Sequence, residues 1–302
     1  MIVWPKFTPW RSLADGGSVS RLPEGLGVED HGPLNVVARR VLLDSLEALA
    51  DQAAAITIVG AQAIYLRSAG EPELTVASFT SDADLNIDPT QLAAMPLVEE
   101  AMAAAGFALV EKPGTWAKVE VVGKVQTNVR VDLLVPEALA NRPGRRSVKM
   151  PPHAKDSARQ VHGLEPAVAD FDVMDVASLE PSDRRVIPAR VAGPAALLVA
   201  KAHKIAERVA EGKPHRLNNK DAGDVIRLML VTDEYEVAER FERLLDDERT
   251  AEVTREGLAS LRDLFGAART PGTLMAIDAL AGDPIEAQIP AIGAAYLQAL
   301  PE

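Results

Sequence analysis

Apolar residues recur at helical spacing through Leu34, Val37, Val41, Leu42, Leu46 and Leu49, which predicts an amphipathic helix running into an alanine-rich stretch near Ala55. The pattern then changes. Ile56–Val59 is a short β-branched run stopped by Gly60, and residues 61–66 read as a helix, so the unit is strand, glycine turn, helix. From 76 to 87 the chain alternates: Ser81, Ala83 and Leu85 share one parity, and Asp82, Asp84 and Asn86 the other. A helix is expected over 97–105, closing at Gly106. Residues 116–122 and 125–135 then form a hairpin about Gly123, with Val129, Val131, Leu133 and Val135 facing one way and Arg130, Asp132 and Leu134 the other.

Two further strands are expected over 168–176 and 185–191. Gly193-Pro194 opens a helix over 195–211, since proline suits a first helical turn. From there to Glu302 the patterns are almost all helical, broken at 212–214, 270–272 and 282–284. No internal repeat or heptad run is found. The fold expected is α/β, a small mixed sheet with helices followed by a helical C-terminal domain. The divisions are an N-terminal arm over 1–30, a catalytic-type domain over 31–190 and helices over 191–302.

Composition narrows the classes. A chain of 302 residues with 47% apolar and 25% charged residues is a globular protein rather than a disordered one. Without cysteine it has no disulfide, thiolate nucleophile or cysteine zinc site, which fits a reducing compartment. No apolar run approaches the roughly 20 residues of a membrane span, and Pro5, Lys6 and Pro9 interrupt the first ten residues where a signal peptide needs an apolar stretch. A cytoplasmic protein without membrane partners is the expectation. A net charge of −12 argues against coating nucleic acid through bulk charge. Between Asn141 and His162, however, Arg142, Arg145, Arg146, Lys149, Lys155 and Arg159 face one acid, Asp156. That stretch is either a solvated proline-rich loop or a surface that contacts phosphate.

Asp82, Asp84 and Asp132 stand in strand patterns, where an unpaired buried acid is costly. Two acids at i, i+2 with a third from a neighbouring strand can converge into an oxygen cluster suited to Mg²⁺, although a D-x-D alone is more often a solvated strand edge. Gly60 allows close backbone approach, and the helix after it offers unpaired N–H groups to an anion. Downstream, Lys201, Lys204 and Arg208 at i, i+3, i+7 line one helical stripe, while Leu197, Leu198, Ile205 and Val209 can face the core. The stripe either holds a polyphosphate or is a solvated basic face. Asp221 and Asp224 can pair with it or offset a helix dipole. The five histidines show no metal-binding spacing in the sequence, and no serine has a triad signature. With 4% aromatics, base-stacking platforms are not expected.

The segments VGAQAIYL, TSDADLNID and VRVDLLV, taken together, resemble the nucleotidyltransferase superfamily, with its glycine turn, D-x-D strand and third strand acid. KAHKIAER at 201–208 and KDAGD at 220–224 resemble the AbiEii type of toxin nucleotidyltransferase. The two blocks cover residues 60 to about 230. The chain departs from the family in having Gly60-Ala61 where Gly-Gly or Gly-Ser is usual, and in having no arginine just before the D-x-D. The resemblance implies transfer of a nucleotide from a nucleoside triphosphate to a hydroxyl, with Mg²⁺ held by Asp82, Asp84 and Asp132. It places phosphates at Gly60 and Ala61, and the triphosphate against Lys201, Lys204 and Arg208 with Asp221 and Asp224 behind them. It also implies a toxin with a cognate antitoxin protein and the 3′ end of tRNA as acceptor, for which Arg142, Arg145, Arg146 and Lys149 would supply RNA contacts. A small-molecule acceptor and a catalytically idle nucleotide-binding scaffold are the alternatives.

Overall fold

A computed structural model describes residues 33–69, 80–110, 112–122, 124–140, 147–213 and 217–302. The first helix, α1 (Pro33–Ala48), ends in a 3-10 turn that feeds β1 (Ile56–Val59). Helix α2 (Gly60–Arg67) follows with no intervening loop, then β2 (Asp82–Ile87), α3 (Val98–Ala104), β3 (Ala108–Leu109), β4 (Thr115–Val122) and β5 (Val125–Pro136). The short β6 (Arg159–Val161) precedes β7 (Phe171–Ala177) and β8 (Val186–Ala192). The strands form one mixed, open sheet in the order β3-β4-β5-β2-β1-β8-β7, with β6 beside the end of β5. Strand β2 runs antiparallel to β1 and parallel to β5, and β1 runs parallel to β8.

Burial explains why these segments are strands. Ala83, Leu85 and Ile87 of β2 and Val129, Val131, Leu133 and Val135 of β5 are buried, and α1, with Val41, Leu42 and Leu43 buried, packs on β2, β4 and β5. The opposite parity carries the polar residues. The strand expected from 76 begins at Asp82 among the described residues. The strand expected from 168 begins at Phe171, because residues 165–168 form a 3-10 turn in which Glu165 Oε1 and Oε2 accept the backbone N–H groups of Ala138 and Gly163. The basic, proline-rich stretch, open between a solvated loop and a phosphate-contacting surface, contains the short strand β6, which pairs with β5 through Leu134 and Arg159.

The rest is helical: α4 (Pro194–Glu211), α5 (Asn219–Val231), α6 (Glu234–Asp246), α7 (Ala251–Phe265), α8 (Pro271–Ala279) and α9 (Ile289–Ala299). Strand β8 passes into α4 through Gly193, where a Cβ would overlap the Asp170 carboxylate. Asp170 Oδ2 accepts the Ala196 N–H at 2.9 Å, satisfying one orphan donor of the helix start, and Oδ1 accepts from Arg240 of α6 at 2.7 Å. Gly212, at φ +61°, ends α4 in the left-handed conformation that glycine adopts without penalty. Residues 31–302 thus form one compact unit in which α2 packs on α4 and α5. No helix among the described residues is long and apolar enough to cross a membrane.

Candidate active site

Strand register brings the three aspartates together. Asp84 is paired with Asp132 across parallel β2 and β5, and two residues of pleat put Asp82 on the same face as Asp84. The antiparallel partner of Asp84 on β1 is Val59, so Asp84 reaches the turn into α2. Gly60 there has φ +67°, and a Cβ on it would overlap Asp84 Oδ2. Glycine is therefore required twice over, for the left-handed backbone and for the approach of a carboxylate. Ala61 lies in the first turn of α2, whose start has no side-chain cap.

The carboxylates differ in their partners. Asp82 Oδ1 accepts from the Thr80 hydroxyl at 2.7 Å. Asp132 Oδ2 accepts from Arg159 at 2.6 Å, while Asp132 Oδ1 is buried with no hydrogen-bond partner among the described residues. Burial and the negative charges of Asp82 and Asp132 push the Asp84 carboxyl up to about 7, with Lys204 and Arg159 acting the other way. Nearby, both side-chain polar atoms of the buried Asn86 are unpartnered, as is Arg159 Nε. Among the described residues the face is short of direct ion pairs and of hydrogen bonds. Such a cluster of oxygen donors suits Mg²⁺, which takes few protein carboxylates, and the orphaned Asp132 oxygen gives the fit a direct observation.

Helices α4 and α5 face this cluster with a second ionic group. Lys201 Nζ donates to Asp221 Oδ1 at 2.7 Å and to Asp224 Oδ2 at 2.8 Å, and all three residues are at most 5% exposed. Lys204 and Arg208 also donate to Asp221, at 3.0 and 2.7 Å. Burial alone would lower the lysine and raise the aspartate. Instead, the charges of Asp224 and Asp221 hold Lys201 above the ordinary lysine range, and Lys201 and Lys204 hold Asp221 well below the carboxylate range. Lys201 is thus enclosed, whereas Lys204 is half exposed and acts on Asp84. Leu197, Leu198 and Ile205 are buried as the stripe predicts.

Three participants are not legible as site residues from spacing. Thr80 holds Asp82, and Arg159 holds Asp132. Lys220 lies over Tyr65 of α2, its Nζ 5.6 Å from the ring centre, and interacts with Asp82. The signals that include them are the TSDADLNID segment for Thr80, the basic stretch for Arg159 and the KDAGD segment for Lys220. Arg142, Arg145 and Arg146 lie outside the described residues. Lys149 is exposed between buried Val148 and Met150, and Ser147 forms an isolated bridge with Arg159. The stem of the basic segment therefore sits beside the arginine that pairs with Asp132.

No protein-family model matches the chain, and no curated protein does.

Proposed function

We propose that the chain is a metal-dependent nucleotidyltransferase that moves a nucleotide from a nucleoside triphosphate to a hydroxyl, with the 3′ end of tRNA as acceptor. The carrying observation is the convergence of Asp82, Asp84 and Asp132 on one sheet face, with Asp84 lying against the Gly60 turn. Asp82, Asp84 and Asp132 would hold Mg²⁺, which when bound polarises phosphoryl oxygens and eases deprotonation of a hydroxyl. The backbone N–H groups of Ala61 and Gln62 start an uncapped helix and face an anion with the positive end of its dipole. Lys204 and Lys220 are the cations next to the aspartates and steady the triphosphate. Lys201 is held between Asp221 and Asp224, so it positions Lys204 and α5.

In the transfer, the acceptor oxygen bonds to the α-phosphorus, the bond from that phosphorus to the bridging oxygen breaks, and pyrophosphate leaves. The acceptor proton passes to the Asp132 carboxylate, which Arg159 keeps fixed through Oδ2. RNA as acceptor is supported by the basic segment, whose stem is tied to Arg159. The AbiEii-type resemblance supports a toxin restrained by a cognate antitoxin protein.

The test is incubation with each α-labelled nucleoside triphosphate and Mg²⁺, with and without total tRNA. Label should enter tRNA with the parent chain and not with Asp82→Ala. Label in small hydroxyl compounds but not in RNA would reassign the acceptor. Equal labelling by the parent and Asp82→Ala would overturn the catalytic reading in favour of a scaffold.

A further inference from the structure

His162, His203 and Glu256 are far apart in the sequence, yet the fold brings one ligand-type atom from each to within 4.8 Å of the others. They come from three elements: His162 follows β6, His203 lies on α4 and Glu256 on α7. The hydrogen bonds around them sort the ring nitrogens. His203 Nε2 is 2.9 Å from the Val253 carbonyl, so this nitrogen carries the proton and donates, which leaves the Nδ1 lone pair free. His162 Nε2 is 3.2 Å from Glu256 Oε2, and its Nδ1 lies 3.6 Å from Glu137 Oε2. A backbone carbonyl that accepts from one imidazole is the support that metal-bound histidines use to fix tautomer and orientation, and the Glu137 carboxylate lies within ion-pair range of the other.

The turn is built for this approach. Gly163 has φ +91°, and a Cβ on it would come within 2.9 Å of His203 Cβ. The two imidazoles consequently meet edge to face, with ring centres 4.6 Å apart. His153, in contrast, has both ring nitrogens engaged by backbone at Val98 and Ala93.

We propose that His162, His203 and Glu256 bind a divalent transition-metal ion of the zinc type at a site separate from the aspartate cluster. Two imidazoles and one carboxylate are a donor set that Zn²⁺ accepts and Mg²⁺ does not favour, and the exposure of His162 and Glu256 leaves a position for water. The ion would join the turn after β6 to α4 and α7. Arg159 of β6 holds Asp132, and Lys204 follows His203 directly on α4, so this crosslink ties together two of the elements that frame the aspartates.

The test uses the untagged full chain after treatment with chelator. Zn²⁺ titration should show one equivalent bound, Co²⁺ should give visible d–d absorption that Zn²⁺ bleaches, and excess Mg²⁺ should not compete. His162→Ala and Glu256→Gln, both at exposed side chains, should melt like the parent in chelator and lose at least about tenfold in Zn²⁺ affinity. Asp84→Asn should bind Zn²⁺ as the parent does. Failure of the parent to bind, unchanged affinity in both His162→Ala and Glu256→Gln, or loss of the equivalent in Asp84→Asn would each overturn the proposal. These readouts are independent of nucleotide transfer, so the two proposals can fail separately.

Discussion

The ionic groups on the sheet and on the helices facing it are neutralised to opposite extents. On α4 and α5, three cations surround two buried aspartates, and every Asp221 oxygen has a donor. On the sheet, the described residues give the three aspartates one direct ion pair, Asp132 with Arg159, while Lys204 and Lys220 act on Asp84 and Asp82 only through space and one Asp132 oxygen has no hydrogen-bond partner. A cluster that is complete in the bare protein contributes to holding it together. One that is left short of positive charge raises the energy of the fold until a ligand supplies that charge, which is the arrangement expected of a functional site.

The strongest way to break this contrast is to open the helical cluster. Asp221→Ala leaves Lys201 as a buried charge with half its partners removed, and should cost about 3–5 kcal/mol in urea unfolding. The same pair predicts a pH window. Asp221 has a folded pKa below its unfolded value of about 3.9, so its contribution is full above that pH and is lost as the pH falls further. Lys201 has a raised folded pKa, so its contribution is full below about pH 10 and is lost in stronger alkali. Parent stability that does not decline toward either extreme would show that the pair is energetically idle.

Gly60→Ala should have the next largest effect. The strained φ alone costs about 1–2 kcal/mol, and the overlap with Asp84 Oδ2 displaces the carboxylate. Nucleotide transfer should therefore fall much further than the melting temperature. A crystal structure of Gly60→Ala with Asp84 undisturbed would sink this account of the turn.

The smallest stability effect, and the one with opposite sign, belongs to Asp84→Asn. In chelator it should melt at or above the parent, by up to about 1 kcal/mol, because it removes one negative charge from a cluster short of direct ion pairs. Transfer should be lost. A clear drop in stability would mean that the sheet cluster, like its helical neighbour, serves to hold the fold.

Much of this contrast was legible in the chain before folding. Alternation placed Asp82 and Asp84 on one strand face and Asp132 on the face opposite the valines of its strand, and helical spacing placed Lys201, Lys204 and Arg208 on one stripe, because both patterns are local. What local pattern cannot carry is pairing at a distance. Strand β6 is three residues long and pairs with β5 from across a loop, so Arg159 read as one more basic residue in a polar stretch. The same limit hid His162, His203 and Glu256, which have no common spacing and meet only when β6, α4 and α7 pack. The 3-10 turn over 165–168 was missed because its cohesion comes from Glu165, a buried acid that satisfies backbone donors rather than an apolar period.

The parallel pairing of Asp84 with Asp132 also restricts where the chain can change length over generations. Side chains alternate along a strand, so one residue gained in β5 between the hairpin turn and Asp132 would swing that carboxylate to the other side of the sheet. The far end of the hairpin is different: Val121 and Val125 are exposed there, and residues added as cross-strand pairs beyond Val122 and Val125 leave the Thr115 and Asp132 partnership in place. Descendants of this sequence should accordingly vary in length at the hairpin tip, two residues at a time, while the stretch from Asn128 to Asp132 keeps its count.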